Sequence, residues 1–312
     1  MRIVCILAIG RTGSSHLVQL LKACPQLNVK AELFKENARL TAADRNALRT
    51  ASGSASEGGA LTKWRRSHPA RVLDVLFEAG GAKPLFFKVF YRHLTREQIS
   101  NEIFSRDDTR YIVLRRRMID SFISNRKAHH YGAHADVDTT GWKPTIQARE
   151  FVAWTRRARS WYDWIAQQMH TRRLPFLDVI YETQLANVDN RVALTRILDG
   201  VAAMGLAGIA LPREIDSFER QDRESDYRAR VANWAEFEKE IAAVPAHADL
   251  LRWAEALPAP IASAPAAPEA AAEADRRSGM TLDRRRSKRE KRRAGKPASE
   301  IGGRGADEGA AE

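Results

Sequence analysis

Cysteine is scarce in this chain: two residues in 312, Cys5 and Cys24. That is too few for a disulfide framework or a cysteine zinc site, and both read as small buried hydrophobes. No apolar run reaches the roughly 18 residues of a membrane-spanning helix. Nor does a charged-then-apolar leader precede the strand pattern that begins at Ile3, so a reduced, cytosolic protein is expected. His129, His130 and His134 have no second set of ligands nearby, which argues against a metal site. No internal repeat is visible. One further absence, a lysine in the first glycine turn, turns out to discriminate between functions.

That turn lies in Met1 to Leu21, MRIVCILAIGRTGSSHLVQLL. The apolar run Ile3 to Ile9 reads as a buried strand, cut off by Gly10-Arg11-Thr12-Gly13-Ser14-Ser15. Apolar residues at helical spacing (Leu17, Leu20, Leu21) follow at once. A strand, a glycine turn and a helix start present unpaired backbone N–H groups and two hydroxyls to an anion, and Arg11 adds a cation. Arg11, Thr12, Gly13, Ser14 and Ser15 are therefore candidate ligands of a phosphorylated nucleotide. The nucleotide-triphosphatase loop needs Lys-Ser or Lys-Thr after its last glycine, whereas Ser14-Ser15 follow Gly13 here. The structural alternative is a strand-to-helix connection that uses its glycines for steric reasons only.

Composition divides the chain. Hydrophobic residues make up 44% of it, ample for a core, but after Leu257 the sequence turns to Ala, Pro, Gly and charge. A folded body over 1–256 and a disordered tail over 257–312 are expected. Residues 258–312 hold 12 Lys and Arg against 9 Asp and Glu, a net of +3, so +9 of the total +12 belongs to the body. The run Arg284-Arg285-Arg286-Ser287-Lys288-Arg289 and its continuation to Arg293 would attract an anionic membrane. Sequence-specific nucleic-acid binding is not expected.

Along the body, strands are expected at Pro84–Phe90, Tyr111–Leu114 and Phe176–Tyr181. Helices are expected at Val72–Ala79, Thr95–Ile103 with Thr95 as cap, Thr145–Met169 and Asp189–Met204. Trp154, Trp161 and Trp164 fall at helical spacing and read as core. Thr50–Ala60 is Ser- and Gly-rich and reads as a loop or lid. The alternation implies an α/β fold, a three-layer doubly wound parallel sheet with ligands beyond the carboxyl ends of its strands.

A second anion site is legible after the strand at Tyr111. Arg115-Arg116-Arg117 precede a helix, and Arg116 and Ser124 could converge on one anion. Three arginines at the positive end of a helix dipole are unfavourable unless negative charge meets them.

With both motifs in this order and setting, the chain resembles sulfotransferases that use 3′-phosphoadenosine 5′-phosphosulfate. Their first motif looks like Arg11-Thr12-Gly13-Ser14-Ser15 and grips the 5′-phosphosulfate. Their second, an Arg and a Ser eight residues apart with an Asp midway, is matched by Arg116, Asp120 and Ser124 and grips the 3′-phosphate. Cys24-Pro25 with Glu32-Leu33-Phe34, and Phe87-Lys88 with His93-Leu94, are similar to segments of bacterial carbohydrate sulfotransferases of the nodulation-factor type. So are Tyr181-Glu182 with Leu185 and, near the cofactor in that family, Asn233-Trp234.

The resemblance implies a P-loop-like sulfotransferase fold and transfer of a sulfuryl group to a hydroxyl of a carbohydrate or glycolipid, with no metal. Arg11 would stabilise charge on the transferring group, and Lys88 would be a second cation. The histidine base of aryl and steroid sulfotransferases falls at Phe90 here, so that base is missing. Glu32 is the preferred base, provided its pKa is raised toward neutrality, and His93 is the alternative. Glu182 is expected to anchor a turn. The acceptor pocket is expected from Thr50–Ala60 and His130–Thr145. Two other readings stay open on residues alone: a P-loop-like kinase or nucleotide hydrolase, and a basic protein that binds nucleic acid or membrane through its tail.

Overall fold

The run that begins at Ile3 is continuously apolar because it is the middle strand of a sheet covered on both faces. The computed structural model describes residues 1–53, 59–132, 138–216, 222 and 224–261. In chain order the elements are β1 (Ile3–Ala8), α1 (Ser14–Lys22), β2 (Asn28–Val29), α2 (Ala42–Ser52), α3 (Gly59–Ser67), α4 (Pro69–Ala79) and β3 (Leu85–Phe90). Next come α5 (Arg96–Gln98), which widens into a π-helical turn at Ile99–Ile103, β4 (Thr109–Arg115), α6 (Met118–Tyr131), α7 (Ala148–Thr171) and β5 (Phe176–Ile180). A second π-helical turn (Glu182–Ala186), α8 (Asn190–Ala203), α9 (Trp234–Ala242) and α10 (Pro245–Glu255) complete the described chain. The five strands are all parallel, in the order β2-β3-β1-β4-β5, with Ile3 of β1 opposite Leu85 on one side and Thr109 on the other.

Alternation along β1 sorts the core into two layers. Val4, Ile6 and Ala8 pack with Leu17, Leu20 and Leu21 of α1 and with Leu194 and Ile197 of α8. Ile3, Cys5 and Leu7 face the other way, among Val72 and Leu76 of α4, Ile119 and Phe122 of α6, and Phe151 and Ile165 of α7. β1 therefore feeds a helix on one face and β4 feeds a helix on the other. Their two connecting loops part company at the carboxyl edge of adjacent strands, which opens a crevice between them.

Helix α7 holds that edge in place. The indole of Trp161 donates to the carbonyl of Ala8 at 3.1 Å, and the hydroxyl of its neighbour Tyr162 donates to the carbonyl of Leu114 at 2.8 Å. One helix thus secures the last turns of both strands that feed the crevice. Local signals set the helix ends. Thr95 forms a capping box with Gln98, as its position predicts, Thr41 forms one with Asp44, and Asp189 caps α8.

Several expectations need revision. Thr50–Ser52 end α2 and Gly59 and Ala60 begin α3, so the expected lid is helical at both ends, and 54–58 lie outside the described residues. α2, α3, α9 and α10 have no counterpart in the sequence reading. The described chain also runs past the expected boundary at 256: Ile261 donates its N–H to Asp178 at 2.9 Å and packs on the core. By contacts, Met1–Ala264 form one unit, and the expected tail beyond it lies outside the described residues.

Replacing Trp161 by Phe strands the Ala8 carbonyl in a buried site. Trp161→Phe is expected to lower unfolding stability by about 1–3 kcal/mol in denaturant titration.

Candidate active site

The loop after β1 is held in a strained shape. Arg11 has φ +69°, a left-handed conformation that costs a non-glycine residue about 1–2 kcal/mol. Its carbonyl is fixed in compensation, accepting from Arg116 Nη1 at 3.0 Å and from Ser121 Oγ at 3.4 Å. Gly13 has φ +85°, and a Cβ there would lie 2.1 Å from Cδ2 of Tyr181. Glycine is obligatory at this position on both counts. Thr12 turns its hydroxyl inward to the Ile9 carbonyl at 2.9 Å, so it braces the loop from within. Helix α1 then starts at Ser14 with no side-chain cap on its first-turn amides. That is the anion-accepting end of a helix dipole.

The loop after β4 meets it. Ser124 Oγ accepts from Arg11 Nε at 3.0 Å, which joins the two expected anion motifs directly. The Arg116 guanidinium lies 4.8 Å over the Tyr181 ring and 3.7 Å from Glu182, with its Nε buried and without a hydrogen-bond partner. Burial and the charge of Arg116 both lower the pKa of Arg11, the signature of two like charges pressed together. Such a pair is stabilised by an anion between or beside them. The other arginines of the triplet do not need one. Arg115 forms a two-point ion pair with Asp178, and Arg117 pairs with Asp120 at the helix start. Arg116 has only the looser contact with Glu182 at 3.7 Å, so the dipole argument bears on it most.

Asp120 belongs to a buried charge network. It bonds Arg230, which also reaches Asp222 at 2.7 Å, and Asp222 in turn holds Lys127 at 2.8 Å. Nothing in the local sequence marks Arg230 or Asp222, because Arg230 reaches Asp120 across 110 residues and Asp222 reaches Lys127 across 95. The network fastens the 222–230 segment onto α6, behind Ser124.

On the other side of the loop stand Glu32, Lys88 and His93. Lys88 is buried, with Nζ 3.4 Å from Ser14 Oγ and 3.3 Å from Glu32 Oε1. Burial lowers the Lys88 pKa, opposed by the Glu32 charge. Glu32 also pairs with Lys35 at 3.2 Å. Burial alone would raise its pKa, but Lys88, Lys35 and His93 together outweigh burial and hold it below the usual carboxylate value. The raised pKa expected for a base is thus absent: Glu32 is ionised throughout the neutral range.

His93 accepts the Phe90 backbone N–H on Nδ1 at 3.2 Å, which puts the proton of the neutral ring on Nε2, 3.9 Å from Glu32. Burial lowers the His93 pKa to about 4. Its lone pair is engaged and its basicity is low, so its geometry is that of a neutral neighbour of Glu32. Arg65, buried under this loop, donates to the carbonyls of Leu33, Lys35 and Glu36 and fixes the path that presents Glu32.

The first loop and the Glu32–Lys88–His93 group open onto a cavity of about 930 Å³, walled on the far side by α6 and α7, whereas Arg116 and Ser124 lie behind Arg11 and do not line it. Arg11, Ser14, Ser15, Glu32, Lys88 and His93 line it. The sulfotransferase family model matches residues 4–200, a span that runs from β1 into α8 and holds both loops and the Glu32–Lys88–His93 group. The chain belongs to the sulfotransferase family.

A solved sulfotransferase domain, that of the Synechococcus PCC 7002 olefin synthase, aligns with a TM-score of 0.41 at 20% identity. The alignment covers 84% of this chain and 90% of that one. A search of the curated proteins found no match. The fold of this sulfotransferase is the doubly wound α/β sheet its motifs imply. No helix among the described residues is long and apolar enough to cross a membrane.

Two further residues take places other than those expected. Asn233 bonds the N–H and C=O of Ile146 at 2.9 and 3.0 Å, so it ties down the approach to α7. Trp154 is only half-buried and lines the cavity, whereas Trp161 is core. Trp161 is level with the carboxyl end of β1, and Trp154 lies two turns earlier on α7, above the edge of the sheet. Glu182 anchors its turn as expected, accepting the Arg117 N–H at 3.1 Å.

Two outcomes follow for the sulfotransferase. His93 has a folded pKa near 4 against about 6.5 unfolded, so its neutral form stabilises the fold fully above pH 6.5. As pH falls from there toward 4, stability on the order of 3 kcal/mol is lost. His93→Asn, which keeps an acceptor for the Phe90 N–H, should flatten that slope in unfolding curves recorded between pH 4 and 7. Gly13→Ala should destabilise the protein by more than about 2 kcal/mol, measured by thermal unfolding.

Proposed function

We propose that this sulfotransferase moves a sulfuryl group from 3′-phosphoadenosine 5′-phosphosulfate to a hydroxyl of a carbohydrate or glycolipid acceptor. One observation carries the reading: a single buried ammonium, Lys88 Nζ, stands between the glycine-turn helix start at Ser14 and the carboxylate of Glu32. This supports the reading, in which a donor held by the turn would meet an acceptor held by Glu32 beside that cation.

The residues suit this donor. The uncapped amides of α1, with Ser14 and Ser15, would hold the 5′ end. Arg116, whose buried Nε makes no hydrogen bond and lies 3.7 Å from Glu182, and Ser124 would hold the 3′-phosphate. Arg11 is bonded to Ser124 and lies between the two.

In the reaction the acceptor oxygen bonds to sulfur as the bridging S–O bond to the 5′-phosphate breaks. The electron pair of that bond leaves on adenosine 3′,5′-bisphosphate. Arg11, Lys88 and the α1 amides stabilise the charge that develops on the sulfuryl oxygens and the leaving phosphate. Glu32 takes the hydroxyl proton. A low-pKa carboxylate suits that role when the transition state is loose and the proton is transferred late, as in phosphoryl transfer. His93 then acts as a positioning residue, a neutral ring packed 4.9 Å from Phe90 beside the carboxylate.

Calorimetry should show adenosine 3′,5′-bisphosphate binding in preference to Mg-ATP; the reverse preference would overturn the assignment. With labelled phosphosulfate donor, Glu32→Gln should lower kcat by about 10²–10⁴-fold while leaving bisphosphate affinity intact. Full activity in Glu32→Gln would move the proton acceptor elsewhere.

A further inference from the structure

Besides the groups already described, four solvent-exposed arginines line the cavity and form its rim. Arg66 comes from α3, Arg92 from the turn after β3, and Arg149 and Arg157 from α7. On α7 the last two stand at i and i+8 with the small Ala153 midway, so they share one helix face with open space between them. Tyr91 and Trp154 add aromatic surface.

Several arginines elsewhere are matched to carboxylates: Arg106 to Asp74 and Asp108, Arg115 to Asp178, Arg117 and Arg230 to Asp120. The four rim arginines are not. Among the described residues no ion pair joins any of them to a carboxylate. Arg149 bonds only the side chain of Gln147, at 2.9 Å, and Arg92 lies over the Tyr91 ring at 5.3 Å.

The carboxylates of the same wall are largely committed. Glu32 is held by Lys88 and Lys35, and Glu150 by Arg126 at 3.1 Å, which leaves Glu36 against four guanidinium groups. Such a rim keeps a positive potential over the mouth and draws anions into it. Guanidinium forks match carboxylate and phosphate oxygens two at a time. An uncharged sugar would instead call for carboxylate and amide acceptors for its hydroxyls.

We propose that the acceptor is itself an anion, a hydroxyl compound that already carries a carboxylate or phosphate, and that Arg66, Arg92, Arg149 and Arg157 select it. This rests on the sulfotransfer reading and narrows its acceptor class. The charged group would dock against the arginine rim, the aromatic faces of Tyr91 and Trp154 would cover the ring or chain that bears it, and the hydroxyl would point down toward Glu32 and Lys88.

The test uses matched probes on the full chain saturated with adenosine 3′,5′-bisphosphate. One pair is a glucuronate-containing oligosaccharide and its carboxyl-reduced form; the other is a glucose phosphate and methyl glucoside. Calorimetry should show at least one anionic member binding about tenfold or more tightly than its neutral partner, an advantage that shrinks as salt is raised. Which pair shows it distinguishes carboxylate from phosphate.

Arg149→Gln with Arg157→Gln should remove about 10- to 100-fold of the anionic affinity and leave bisphosphate affinity unchanged. Arg157→Lys should recover part of the loss. Equal binding within both pairs, no binding of either member, or equal weakening of both members in the variant would overturn the proposal. Failure of the wild-type protein to bind the bisphosphate would instead overturn the sulfotransfer reading, whatever the probes do.

Discussion

The guanidinium of Arg116 joins the ends of three strands. It rises from the end of β4, bonds the carbonyl of Arg11 after β1, and lies over the ring of Tyr181 after β5, which itself fills the space that a side chain at Gly13 would need. Because β1, β4 and β5 are neighbours in the sheet, this single residue holds the glycine turn in its left-handed shape. The turn aims the amides of α1 and the side chains of Arg11 and Ser14 into the cavity. Without that clamp, the strain at Arg11 would relax and the anion cradle with it.

The rest of the centre is organised around where charge is compensated and where it is left over. Arg115 and Arg117 are neutralised by Asp178 and Asp120, and Lys127 and Arg230 are absorbed by the network with Asp222. Positive charge is thereby crowded in two places. One is the crowded Arg11–Arg116 pair at the glycine turn, the other the arginine rim above α7. A buried Lys88 and a half-buried Glu32 form an ion pair, in which Lys88 lowers the Glu32 pKa and Glu32 raises that of Lys88. An enzyme that moves a charged group between two oxygens benefits from such fixed, partly desolvated charges, because they need no reorganisation when the charge shifts.

Much of this was legible before any fold was known. The apolar run Ile3–Ala8, the glycine turn and the helix pattern after it identify the first motif, and Arg116 with Ser124 identify the second, since both are short, local and placed at strand ends. Glu32 and Lys88 stand out through the resemblance to the family rather than through any local signal, and folding brings them to 3.3 Å. Where reasoning failed, it was where charge or helix formation depends on distant partners. The arginine triplet looked uncompensated because Asp178 lies 63 residues away from Arg115. Glu32 was expected to have a raised pKa because only burial can be guessed locally, whereas the cations that lower it converge from β3 and its own loop.

Strand and helix alternation, the parallel sheet and the glycine turn were determined by the sequence itself, through hydrophobic periodicity and the φ that glycine alone adopts freely. The tertiary structure decided the electrostatics. It chose which arginines are spent on carboxylates, placed Asn233 on the backbone of Ile146, and lifted Trp154 out of the core to line the cavity above the sheet. The physical reason is range: a dihedral preference or an apolar period acts over a few residues, while the free energy of a charge depends on every group that folding brings within a few ångströms of it.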